Sequence, residues 1–72
     1  MNPQFRYNNA VEVIDESSYY FGSRGWVKLY YTTGGDPYLY EVELTDGTIL
    51  RCTAASLKLI AESQLPGVRY EI

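Results

Sequence analysis

No staple is available to this chain. Its 72 residues include one cysteine, Cys52, and no histidine. An internal disulfide is therefore impossible, and a structural zinc site, which wants about four Cys or His ligands, would find one. A chain this short buries a modest fraction of its surface and normally leans on such devices. The fold must stand on its hydrophobic core, with self-association as the remaining support. The length accommodates a single domain, residues 1–72.

The core material is aromatic. Eight tyrosines, two phenylalanines and one tryptophan are present, and each ring brings roughly 150–250 Å² of buriable area. Val, Ile, Thr and Tyr outweigh Ala, Glu and Lys, which favours strands over long helices.

The local pattern agrees. In residues 10–14, Val11 and Val13 share one face and Glu12 takes the other. Residues 15–25 form a long connection with turn formers at both ends and Tyr19, Tyr20 and Phe21 in the middle. A second strand over 26–32 alternates Val27, Leu29 and Tyr31 against Lys28 and Tyr30. Thr33-Gly34-Gly35-Asp36-Pro37 then reads as a turn. Residues 38–44 have the clearest two faces, with Tyr40, Val42 and Leu44 against Glu41 and Glu43. Thr45-Asp46-Gly47 makes a tight hairpin, and 48–53 return. Residues 54–57 fit a single 3₁₀ turn, and 58–60 close as a fifth strand. The expected core is Val11, Val13, Val27, Leu29, Val42, Leu44, Leu50, Leu57 and Ile60. Residues 1–9 form a flexible arm or a short lead-in strand. Residues 61–72 form a tail, in which Val68 to Ile72 alternates as a sixth, edge strand would, or a segment that engages a partner.

The order of strand, long loop, three-strand meander, 3₁₀ turn and short strand resembles the SH3-like barrel family, and within it the KOW-type domains of transcription and ribosomal proteins. The pieces that carry the resemblance are Val11-Glu12-Val13-Ile14, Gly22, Gly25-Trp26-Val27, Tyr40-Glu41-Val42-Glu43-Leu44 and Ala54-Ala55-Ser56-Leu57-Lys58-Leu59-Ile60. The resemblance implies an all-β fold, a small barrel of five to six strands with one 3₁₀ turn. Two departures bear on function. RNA-binding KOW-type domains carry basic residues on their loops, whereas the first loop here opens with Asp15 and Glu16. The paired tryptophans and the early Ala-Leu-Tyr-Asp-Tyr stretch of signalling SH3 domains are absent.

Catalytic chemistry has few carriers. Without histidine there is no triad and no imidazole acid–base pair. Cys52 falls in a strand expected to face the core, where a thiol is structural. Gly34 and Gly35 lack phosphate-loop spacing, and the carboxylates show no calcium-loop spacing. A non-enzymatic module without cofactor or metal is the expectation. The formal charge of −3 is an ordinary solubility charge. The basic residues Arg6, Arg24, Lys28, Arg51, Lys58 and Arg69 are spread along the chain rather than clustered for nucleic acid. No apolar run reaches membrane-spanning or signal-peptide length, and one unpaired cysteine fits a reducing, cytoplasmic compartment.

The surplus of rings points to an interface. A barrel of this size cannot bury all eleven, and three consecutive aromatics in a loop cannot all face inward. Tyr19, Tyr20 and Phe21, framed by Asp15, Glu16 and Arg24 and joined by Tyr30, are the expected partner-binding residues. The expected partner is another protein with a basic surface, or a second copy of the chain. A small free-standing chain of this kind fits a bacterial or phage modulator or assembly component. The alternative is a KOW-like nucleic-acid binder of a transcription or translation factor, stacking bases on the same rings.

Overall fold

The computed structural model describes residues 3–32, 34 and 37–65. It is all-β. The strands are β1 (Ala10–Val13), β2 (Arg24–Tyr31), β3 (Leu39–Leu44), β4 (Ile49–Thr53) and β5 (Leu57–Leu59). They form one antiparallel sheet in the order β4-β3-β2-β1-β5. The two outer strands are not paired with each other, so the sheet is open among the described residues. No described helix is long and apolar enough to cross a membrane. The expected sixth strand, residues 68–72, lies outside the described residues, as do Thr33, Gly35 and Asp36 of the expected turn.

Alternation places the main core on one face. Val11, Val13, Val27, Tyr40, Val42, Leu44 and Leu57 are buried there, joined by Phe5. β3 shows why the pattern works: its inward residues are buried and its glutamates half-buried in strict alternation, as a two-sided strand requires. The hairpin to β4 closes through Leu44 N–H to Thr48 O (2.8 Å) and Gly47 N–H to Leu44 O (2.8 Å). Gly47 sits at φ +92°, a conformation that glycine adopts without a Cβ clash.

Two core expectations need correction. Leu29 is 42% exposed, because a bulge at Lys28 interrupts the β2–β3 register: Val27 opposes Val42, and Leu29 opposes Glu41. The extra residue turns Leu29 outward and swings Tyr30 onto the core, where it pairs with Tyr40. Ile60 packs not on the main core but on a second cluster across the sheet, with Ala10, Trp26 and Leu65. Leu50 is half-buried at the margin of the main core, as befits a residue on an outer strand.

The expected single 3₁₀ turn is also corrected, since there are two. The first, Ala54–Ser56, matches the expectation. The second, Glu62–Gln64, forms where Ala61 N–H donates to the Gln64 side-chain Oε1 (2.9 Å) and Gln64 N–H donates back to Ala61 O (2.9 Å). Leu65, buried against Trp26 and Ala10, holds it to the sheet. Glu62 adds an acceptor for the Trp26 indole Nε1–H at 3.3 Å.

The N-terminal arm packs as turns, not as a strand. Phe5 is in the core, with its ring edge-on to Tyr40 at 5.3 Å. The Tyr40 hydroxyl accepts from the backbone N–H of Gln4 (2.8 Å) and Phe5 (3.3 Å). Asn8 N–H donates to Val27 O at 2.7 Å and Val27 N–H to Asn9 O at 3.0 Å. These bonds tie the arm to β2.

Candidate interaction surface

The loop between β1 and β2 is closed at its base and folded upon itself. Val13 N–H donates to Ser23 O and Gly22 N–H to Val13 O, each at 2.8 Å. Within it, Ser18 N–H donates to Asp15 O, Phe21 N–H to Ser18 O and Ser23 N–H to Tyr20 O. Asp15 stiffens the entry as an Asx-type turn: its Oδ1 accepts from Ser17 N–H (3.0 Å) and Ser17 Oγ–H (2.7 Å). Those bonds hold its carboxyl below the usual carboxylate range. The Ser18 hydroxyl accepts from Tyr20 N–H in the same way.

The three consecutive rings divide as a stiff loop forces them to. Tyr20 is half-buried and packs on the core. Tyr19 is 93% exposed, touching Tyr20 edge-on at 5.1 Å, and Phe21 is 54% exposed. Asp15 and Glu16 share the loop with them. Arg24 stands at its exit, where Nε donates to Glu12 Oε1 (3.0 Å) and Nη1 to Gln64 O (2.6 Å). Tyr30 is elsewhere. It lies six residues further along β2, about 20 Å at roughly 3.3 Å per residue, in a cluster with Tyr7 (4.5 Å), Tyr38 (6.0 Å) and Tyr40 (6.1 Å).

That cluster borders a feature the sequence does not announce. A recess of about 270 Å³ is lined by Gln4, Pro37, Tyr38, Tyr40, Thr53, Ala54 and Ala55. Its walls come from the arm, the start of β3, the end of β4 and the first 3₁₀ turn. They are distant in sequence, so no motif records them. The turn also meets the aromatic loop, since Ile14 N–H donates to Ser56 O at 2.8 Å. Cys52 lies on the neighbouring core face. Burial, then the negative charge of Asp15, pushes its thiol up to about 11, so at neutral pH it is a protonated, packed group. Among the described residues no group of three or more His, Cys, Asp or Glu could hold a metal ion.

Set beside known proteins, the chain matches no family model, no curated protein and no solved structure.

Proposed function

We propose that this chain is a protein-docking module on a small SH3-like scaffold, and that the Asp15–Arg24 loop, with Tyr19 and Phe21 outermost, is its main contact surface. The observation that carries this is the presentation of Tyr19: a nearly fully exposed ring on a loop fixed by its own hydrogen bonds. Exposed aromatic clusters mark interaction sites. A rigid loop also loses little freedom on binding, which favours affinity. Asp15 and Glu16 beside the rings select a basic partner and steer its approach.

The charge of the site weighs against the KOW-like alternative. Base stacking on Tyr19 or Phe21 needs phosphate partners nearby. Arg24 is bonded to Glu12 and to Gln64, and Lys28 pairs with Glu43 at 3.7 Å.

The test is recovery of partners from native lysate, with and without nuclease, on the parent and on Tyr19→Ala and Phe21→Ala. The parent should retain a protein after nuclease treatment. Both variants should lose at least about 2 kcal/mol of that binding and melt like the parent, because neither ring is in the core. Recovery of nucleic acid alone would reverse the ranking of the two functions.

A further inference from the structure

We propose that the recess beside the first 3₁₀ turn takes one apolar side chain of an extended peptide segment, while Asp15 and Glu16 hold a basic residue of the same segment. The proposal rests on the docking function above and names its partner's chemistry.

The recess is the first half of the argument. Pro37, Tyr38, Ala54 and Ala55 wall it, with the buried Tyr40 beneath. None of its lining residues carries a charge at neutral pH, in a chain with fifteen charged residues. A charged occupant would give up its hydration there without a partner. An aliphatic or aromatic group would gain by every apolar atom it buries. At about 270 Å³ the space suits one side chain, not a cofactor.

Adjacency supplies the second half. Ala55, on the wall, precedes Ser56, whose carbonyl accepts from Ile14 N–H, and Asp15 follows Ile14. Bonds from Ser17 hold the Asp15 carboxyl below its ordinary range, and Glu16 beside it is exposed. A neutral apolar hollow next to two carboxylates asks for an apolar residue with a lysine or arginine two positions away, on the same face of the segment. In an extended chain, residues two apart share one face, about 7 Å apart at roughly 3.3 Å per residue, whereas two residues apart on a helix point to nearly opposite sides.

The probe is a random dodecamer peptide display library, selected on the full chain and, in parallel, on Ala55→Arg. Ala55 is exposed, so the new side chain blocks the recess without entering the core. Pro37→Arg, also at an exposed position, blocks it from the opposite wall should Ala55→Arg disturb the turn. Selected peptides should share an apolar residue with Lys or Arg two positions before or after it. Their affinity should fall more than about tenfold with either blocking variant. It should fall about threefold, with loss of its salt dependence, in the Asp15→Asn, Glu16→Gln double variant. Enrichment equal on parent and Ala55→Arg, or a consensus lacking the basic residue, would overturn the proposal. So would peptides that ignore both blocking variants yet are lost with Tyr19→Ala, a result that leaves docking through the loop intact. Failure of the docking function itself would appear in the lysate experiment instead.

Discussion

Gly25 is where the sheet leaves least room. It is buried on β2 opposite Val11 and Leu44, and a Cβ there would collide with the backbone carbonyl of Glu43. Backbone cannot rotate aside as a side chain can, so Gly25→Ala should destabilise by about 1–3 kcal/mol in urea denaturation. A parental midpoint would mean that the strands separate at no cost. Tyr40 joins two roles, a buried ring and an acceptor for two arm amides. Tyr40→Phe keeps the first and abolishes the second, which should lower stability by roughly 1–3 kcal/mol. Ionisable groups work on the same scale. Asp15 and Asp46 are both held below their ordinary 3.8, by bonds from Ser17 and Thr48 respectively. Their contribution is thus present above 3.8 and lost as pH falls through the lower folded values. Cys52 has the opposite sign. Its raised thiol favours the protonated form, so stability is full below the ordinary value of 9.0 and drains away between there and about 11. Comparing parent with Cys52→Ala across that window isolates the contribution of the thiol. Parallel curves would show that Cys52 is not shielded as described.

β2 and β3 differ in how openly their sequences declare them. In β3 the period-two pattern is uninterrupted, so Tyr40, Val42 and Leu44 can be assigned to the core by spacing alone, and the Asp46-Gly47 turn fixes the return of β4. β2 carries an equally regular pattern, yet the bulge at Lys28 reverses its second half. Nothing in Val27-Lys28-Leu29-Tyr30 marks an extra residue, because a bulge is decided by the partner strand and by what must pack beneath it. The arm was illegible for a similar reason. Phe5 and Tyr7 alternate in a short polar stretch, yet only Phe5 is buried, packed on Tyr40 thirty-five residues away. These assignments separate cleanly in mutants. Leu44→Ala should lower stability by about 2–5 kcal/mol and Phe5→Ala by about 3–5 kcal/mol, whereas Leu29→Ala, on the outward side of the bulge, should fall within about 0.5 kcal/mol of the parent. A Leu29→Ala variant that melts with Leu44→Ala would put the bulge elsewhere.

At the scale of the molecule, the sheet is covered on both faces, and unequally. The main core occupies one face. On the other, Ala10, Trp26 and Leu65 form a smaller cluster with Ile60 packed against it, held by the Glu62–Gln64 turn and by Arg24 reaching the Gln64 carbonyl. The proposed contact surface is built in two parts. The aromatic loop could be found from three adjacent residues, while the recess is assembled from residues 4, 37, 38, 40 and 53–55 and exists only once the sheet has formed. Both parts of the proposed contact surface are anchored on the main-core side: Tyr20 packs there, and the buried Tyr40 lines the recess. The Trp26 cluster stands apart and should loosen without taking the proposed binding surface with it. Leu65→Ala removes the cover from Trp26, so the single tryptophan's emission should shift to the red. The Gln64 and Leu65 amides, which donate to Ala61 O and Glu62 O, should exchange faster in deuterium, while the β2–β3 amides stay protected. Peptide or partner affinity should remain parental. If affinity fell along with the cover on Trp26, the two faces of the sheet would be coupled, and the surface built from Tyr19, Asp15 and the recess could not be treated as independent of the C-terminal turn.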